Sequence, residues 1–302
     1  MRTIGRGPKV SVCVVTYNQE QYVAQCLQSI LDQNVNFDFE IVVADDCSTD
    51  RTREIISEYS TKYRDVIKPE FHKSNIGPYR NCMFAHARAS GEYIAHLDGD
   101  DYALPGKLKT QVEKLDADSA CTMVWHRMRV LNVRTSSFRD DLIDPAWIER
   151  RAFTRGDLLA LMAVGLHSST MYRASLREFP MPPFDTIDYL MKVERIGDGK
   201  GYFVGNAPLG VYRAGIGIAS SGNYTRRLMA QSMEYLAGRF PRERARINTA
   251  ALTMLLAELK NGGENRPHLW RTWRATFHPL SLFWFMHYWG DIGKLRLPLA
   301  PG

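Results

Sequence analysis

Three carboxylates fall within four residues at Asp98-Gly99-Asp100-Asp101, directly after the run Glu92-Tyr-Ile-Ala-His-Leu97. That density of negative charge is unfavourable in a folded chain unless a cation offsets it. Aspartate oxygens are hard ligands suited to magnesium or manganese, and such ions complete their shell with water and substrate phosphate. The cluster therefore reads as the metal and diphosphate end of a nucleotide-substrate site. The plainer reading is a solvated acidic turn that caps the next helix. What the rest of the chain brings to the same place decides between them.

The elements that must position this cluster read as α/β, a mostly parallel central sheet flanked by helices. Residues 9–15 are β-branched enough for a buried central strand and lead into Thr16-Tyr17-Asn18. Asn18 is placed to cap a helix with Gln21 at its third position and Val23, Cys26, Leu27, Ile30 and Leu31 on its apolar face. Residues 39–44 form a second such strand and end in Asp45-Asp46-Cys47-Ser48; Asp50 or Ser48 would cap the following helix, with Ile55, Ile56 and Tyr59 inward. A weaker strand near 66–71 precedes Asn75-Ile76-Gly77 and Arg80, and a helix over 81–89 is expected to close at a left-handed Gly91. In an open α/β sheet these loops gather on the carboxyl edge, where ligands bind. Tyr17, Asp45, Asp46, Asp98 and Asp100 should therefore converge. The alternative for Asp45 and Asp46 is that both merely cap the next helix.

Composition narrows the class. The 302 residues are 45% hydrophobic, enough for a large core. Five cysteines with no C-x-x-C pair point to buried thiols in a reduced, cytosolic compartment. The apolar run 10–15 is too short for a signal peptide or a spanning helix. Of the net charge of +6, the stretch from Arg226 onward holds 12 Lys or Arg against 5 Asp or Glu, so the remainder is close to neutral. A phosphate-accepting receiver domain would place its acid pair after the first strand, and a dinucleotide enzyme or a nucleotidyltransferase would need a Gly-rich loop there. Thr16-Tyr17-Asn18 stands there instead.

The segments Val10-Ser-Val-Cys-Val-Val-Thr-Tyr-Asn18, Asp45-Asp-Cys-Ser-Thr-Asp50, Asn75-Ile-Gly77 with Asn81, and Gly91 to Tyr102 around Asp98-Gly-Asp-Asp101 together resemble the successive motifs of family-2 glycosyltransferases with the GT-A fold, above all bacterial enzymes of surface-polysaccharide synthesis. The resemblance covers about residues 9–215. It implies a nucleotide-sugar site around Thr16, Tyr17, Asn18, Asp45, Asp46, Asn75, Gly77, Arg80, Asp98 and Gly99. Tyr17 would pack on the base, Asp45 would accept the uracil imide proton, and Asp98 would meet the ribose or diphosphate. Asp100, with Asp98, would hold a divalent metal, Mn2+ or Mg2+, bridging the phosphates, and Lys73 or Arg80 would add a cation. Inverting transfer needs a base for the acceptor hydroxyl. The resemblance puts it at Asp188 in Phe184-Asp-Thr-Ile-Asp188, with Asp185 as fallback; helix-terminus stabilisation is the competing role for Asp188. Many relatives place a histidine two residues beyond the Tyr212-Arg213 pair; Gly215 stands there, and His167 is a weak substitute.

Further on, Pro105 opens a helix with Leu108, Val112 and Leu115 buried, and 121–133 reads as one long strand. Residues 134–151 read as a loop shaping the acceptor side, Thr154 to Asp157 as a helix start, 166–172 as a strand and 214–221 as a lid. Residues 1–222 make the catalytic domain, its nucleotide-sugar half about 9–103 and its acceptor half about 104–222. Residues 223–302 form a helical, basic and aromatic extension with stripes at Leu228, Met229, Met233 and Leu236, and at Ile247, Ala251, Leu255, Leu256 and Leu259. Such stripes pack a core or a homodimer. The aromatic and basic residues of 266–296 suit either peripheral contact with the inner face of the plasma membrane or packing on the catalytic domain. The expected function is metal-dependent inverting transfer from a nucleotide-sugar, a UDP-sugar by resemblance, to a carbohydrate or polyprenyl-diphosphate-linked glycan, with no nucleic-acid partner. The alternative is a nucleotide-sugar-binding or scaffolding protein without turnover.

Overall fold

The computed structural model describes residues 7–294 apart from 142, 150, 163, 186, 217–221 and 293. Strand β1 (Val10–Thr16) is flanked in parallel by β2 (Phe39–Asp45) and β4 (Tyr93–Asp98), with β3 (Ile67–Phe71) beyond β2. Covered on both faces, β1, β2 and β4 need the near-continuous apolar runs that they have. Helices α1 (Val23–Leu31), α2 (Thr52–Lys62) and α3 (Pro78–Arg88) make the crossovers. The inward residues of α1 are Val23, Cys26, Leu27 and Ile30, as the 3.6-residue spacing requires.

Two local expectations are corrected, and the choice between Asp50 and Ser48 is decided. Asn18 does not cap α1; it sits at φ 52° and its side-chain oxygen accepts from the Thr49 amide at 2.8 Å, tying the first loop to the second. Asp50 does serve the start of α2, accepting from the Thr52 amide at 3.0 Å, while the Ser48 amide is turned to Asp45 at 3.0 Å. Gly91 is not a left-handed cap, because α3 ends at Arg88 and continues extended through Ala89. It is glycine because a Cβ there would lie 2.6 Å from the Ser11 backbone nitrogen.

After β5 (Tyr102–Ala103) and α4 (Lys107–Ala117), the expected long strand is two, β6 (Cys121–Trp125) and β7 (Met128–Asn132), in different sheets. The break falls at His126-Arg127, where Arg127 leaves the ladder to pair with Asp141 at 2.8 Å. The stretch expected as loop holds β8 (Ser137–Asp140), which pairs antiparallel with β7, and the short α5 (Pro145–Ile148), capped by Asp144. A capping box of Thr154 and Asp157 opens α6 (Arg155–Leu161). The strand expected over 166–172 begins instead as a 3-10 turn at His167–Ser169, followed by β9 (Met171–Arg173). Then come α7 (Asp188–Arg195), β10 (Lys200–Phe203) and β11 (Gly210–Ala214). The main sheet runs β10-β6-β9-β4-β1-β2-β3 with β9 antiparallel to both neighbours, and a second sheet runs β5-β11-β7-β8.

Among the described residues four α-helices follow β11: α8 (Gly222–Arg239), α9 (Arg244–Lys260), α10 (Arg266–Ala275) and α11 (Ser281–Ile292). Met233, Leu236, Ile247, Ala251 and Tyr288 from these helices lie in one core with Trp125, Phe153, Leu159 and Leu190. Leu256 and Leu259, expected on the inward stripe of α9, are exposed. All five cysteines are free thiols, four of them buried. No helix among the described residues is long and apolar enough to cross a membrane. Of the expected lid, 217–221 lie outside the described residues.

Candidate active site

Parallel pairing brings the loops together. The register sets Thr16 of β1 beside Asp45 of β2, and Val15 of β1 beside Asp98 of β4. At that edge lies an open cavity of ≈ 490 Å³ lined by Thr16, Tyr17, Gln19, Asp46, Asn75, Asn81, Asp98, Asp100, Tyr212 and Ile216, among others. A neighbouring lobe of ≈ 310 Å³ shares Tyr17, Gln19 and Asp100 and adds Asn18. Tyr17 is 47% exposed, so its ring face is open to a planar ligand.

The acid pair divides its tasks, and not as expected. The Asp45 side chain is fully buried outside the cavity, where it accepts from Thr16 Oγ1 at 3.2 Å, from the Ser48 amide at 3.0 Å and from the Ser48 hydroxyl, with Arg53 Nε 3.4 Å away. With its acceptor capacity used inside the loop, it does not present itself to a base. Asp46 faces the cavity and accepts from the Ile76 and Gly77 amides at 2.7 and 3.0 Å. Each of its oxygens keeps a second lone pair for a ligand donor. Gly77 is at φ 91°, a conformation open to glycine, and its amide also bonds Asn75 Oδ1 at 3.1 Å. Asn81 holds the floor, donating to the Ala44 carbonyl at 2.9 Å.

Asp98 and Asp100 both line the cavity, whereas Asp101 is buried and accepts from the Arg213 amide at 2.9 Å. Gly99 lets this turn pass β1: a Cβ would come within 2.4 Å of Gln19 Oε1 and 2.5 Å of Thr16 Cγ2. Asp98 is held on both oxygens, by His96 Nε2 and by Ser168 Oγ, each at 3.1 Å. Burial works to raise its pKa, but His96 and Ser168 outweigh it and keep the carboxyl below its ordinary value. Asp100 goes the other way, pushed up to about 7 by burial and then by the charge of Asp98. The Asp101 carboxyl is also raised well above its ordinary value, again chiefly by burial, and its Oδ2 has no hydrogen-bond partner among the described residues. Hard-oxygen donors on one cavity wall, one of them reluctant to ionise alone, fit a divalent cation. Arg213 does not reach into the cavity; it donates to the Asp100 carbonyl and to Gln25 Oε1, locking β11 onto the acidic turn.

The second acidic motif is nearby but not in the wall. Asp188 opens α7 and pairs with Lys192 Nζ at 2.7 Å. Tyr212, which lines the cavity, has its hydroxyl raised chiefly by burial and then by Asp101, Asp98, Asp100 and Asp188, so both acidic groups act on that ring. Asp185 pairs with Arg80 at 3.5 Å. The Arg80 guanidinium is therefore drawn to the loop before α7 rather than into the cavity, against expectation. His167 stacks on His96 at 3.5 Å between centroids, and its ligand atom lies within 4.8 Å of those of His96 and Asp98, so these three side chains could also meet on one cation.

Sequence reasoning missed Gln19, His96 and Ser168. His96 had a signal, since it lies two residues from Asp98 on the same strand face. Ser168 lies 70 residues from Asp98 and had none.

Comparison with known proteins places this geometry. The model of the family described as glycosyl transferase family 2 matches residues 11–176. The putative glycosyltransferase EpsE of Bacillus subtilis is 39% identical over 110 residues, 36% of this chain and 39% of that protein. Poly(ribitol-phosphate) beta-N-acetylglucosaminyltransferase TarS of Staphylococcus aureus is 36% identical over 109 residues, 36% of this chain and 19% of its own length. An uncharacterized protein of Mycobacterium tuberculosis is 38% identical over 123 residues, 40% of this chain and 36% of its own, so the match spans well under half of each relative. Among solved structures, S. aureus TarS 1–349 in complex with UDP superposes with TM-score 0.67 at 20% identity, over 95% of this chain and 89% of that one. The mannosyltransferase PcManGT of Pyrobaculum calidifontis, in complex with GDP-Man and Mn2+, gives TM-score 0.55 at 18% identity over 97% and 86%. These likenesses establish the GT-A fold, and the match to the family model spans more than half of the sequence: the chain belongs to glycosyl transferase family 2.

Proposed function

We propose that this chain is an inverting, metal-dependent glycosyltransferase. Its donor is a nucleotide-sugar, a UDP-sugar by preference, and its acceptor a carbohydrate or lipid-linked carbohydrate in bacterial polysaccharide synthesis. The observation that supports this most is the convergence of Tyr17, Asp46, Asp98 and Asp100 on one cavity. Tyr17 supplies a stacking face, and Asp46, an acceptor in the same cavity, suits the imide N–H of uracil. Asp98 and Asp100 would hold Mn2+ or Mg2+ against the diphosphate; when bound, the ion neutralises the charge that develops on the leaving group. Asp188, oriented by Lys192, takes the proton of the acceptor hydroxyl. Two related structures hold UDP, or GDP-Man with Mn2+. Such donors are cytoplasmic metabolites, in keeping with five unpaired thiols.

The test is thermal stabilisation by a panel of nucleotide sugars, with and without Mn2+, followed by nucleotide release once an acceptor is supplied. Stabilisation by UDP-sugars that depends on Mn2+ is the expected result. No stabilisation by any nucleotide sugar would overturn the reading. Binding without release against a panel of surface glycans would favour a nucleotide-sugar-binding protein instead.

A further inference from the structure

The aromatic residues of the last two helices point two ways. Tyr288 is buried with its hydroxyl on Asp157 at 2.9 Å, and the Trp284 ring takes the Arg246 guanidinium at 3.8 Å. Both α10 and α11 pack on α9, which fixes one face of each inward. Among the described residues, Phe277 and Leu280 in the connection between the two helices and Leu282, Phe283, Met286 and Trp289 on α11 remain between 53% and 78% exposed. Leu282, Met286 and Trp289 recur at i, i+4 and i+7, so they form one stripe along α11. Exposed apolar patches on this scale mark interaction surfaces.

Charge distinguishes the partner. Between 265 and 292 the sequence holds Arg266, Arg271 and Arg274 and a single acid, Asp291. That acid is turned inward, pairing with Arg151 at 2.9 Å and accepting from Trp147 Nε1 at 2.7 Å. On α10 the arginines are exposed alongside Trp270, Arg271 74% exposed although Glu234 of α8 lies 3.8 Å away, so cation and ring share the outer face. A second copy of the same face would set arginine against arginine, whereas lipid phosphates complement it. Twelve residues of α11 reach about 18 Å, well short of a bilayer's hydrocarbon core, so the helix suits lying in the interface plane. We propose that the outer face of α10 and α11 docks on an anionic lipid surface, apolar side chains entering the headgroup region and arginines meeting phosphates.

The experiment is co-sedimentation of the full chain with vesicles of phosphatidylglycerol and phosphatidylethanolamine, or of phosphatidylcholine alone. The chain is expected to pellet with the anionic vesicles, stay in solution with the neutral ones, and bind more weakly as salt is raised. Replacing Leu282, Phe283, Met286 and Trp289 together by Ser should lower anionic-vesicle binding by about tenfold or more, with circular dichroism and the melting midpoint unchanged. Arg266→Gln, Arg271→Gln and Arg274→Gln together should erase the anionic preference. A wild-type chain that stays in solution with anionic vesicles overturns the proposal. So does a dimer in sedimentation velocity that the four Ser substitutions dissolve while vesicle binding persists.

Discussion

His96 Nε2 lies 3.1 Å from Asp98 Oδ1, and the other nitrogen of the same ring lies 2.9 Å from His86 Nε2, whose own Nδ1 meets the Tyr172 hydroxyl at 2.7 Å. All three rings are buried, so a chain of hydrogen bonds from α3 and β9 orients Asp98. His96→Phe removes the brace with little change in volume. The expected outcome is a 10- to 100-fold loss of Mn2+ affinity, roughly what an outer-shell partner contributes, with partial recovery in His96→Gln. Titration of the melting midpoint with Mn2+ measures it; an unchanged affinity would mean the ring only packs.

The two neighbouring aspartates should separate in nucleotide binding. Asp46→Ala is expected to weaken uridine nucleotide binding by about tenfold, since it removes an acceptor from the cavity wall, and to cost some stability as well, since the Ile76 and Gly77 amides lose their partner. Asp45→Ala should instead destabilise the chain by roughly 1–3 kcal/mol, because the Ser48 and Thr16 donors lose a buried partner. Calorimetric titration with UDP and denaturant unfolding of both variants give the four numbers; the reverse pattern would restore Asp45 to the base.

Asp100 and Asp188 differ in the step they serve. Asp100→Ala should abolish Mn2+-dependent stabilisation and activity. Asp188→Asn should keep donor binding and lose transfer by about 10²- to 10⁴-fold, the usual worth of a general base. Wild-type turnover in Asp188→Asn removes that carboxylate from the reaction.

A pH dependence follows from Asp100, whose carboxyl ionises near 3.8 ordinarily but near 7 in the folded, ion-free chain. Between those values the folded state holds a proton that the unfolded state has lost. The stability associated with it is complete below the lower value and falls as pH rises through the upper one, where a charge must be buried beside Asp98. The rise in melting midpoint on adding Mn2+ should therefore be larger at pH 8 than at pH 6. Equal gains at both would exclude Asp100 as the ligand.

Gly99→Ala tests the turn itself. Its Cβ would overlap Gln19 and Thr16, both in the cavity wall. A loss of about 1–3 kcal/mol in stability is expected together with weaker UDP binding. A variant that melts and binds as the parent does would show that the turn has room to spare.

The sequence alone determined that several polar loops meet at one edge. Apolar runs over 9–15, 39–44 and 93–97 can only be covered strands, helical crossovers make them parallel, and parallel strands deliver their carboxyl ends together. That reasoning is local and periodic, and it brought Thr16, Tyr17, Asp98 and Asp100 to one edge, where they line the same cavity. Tertiary structure decided which of two adjacent carboxylates faces it. Neighbouring side chains point apart, and the choice was made by Ser48, Thr16 and Arg53 claiming Asp45 while the Ile76 and Gly77 amides held Asp46 at the wall. It also brought Ser168 to Asp98, drew Arg80 to Asp185, and sorted the C-terminal aromatics into a buried and an exposed set. Each of these depends on contacts between residues far apart in the chain, which periodicity does not encode.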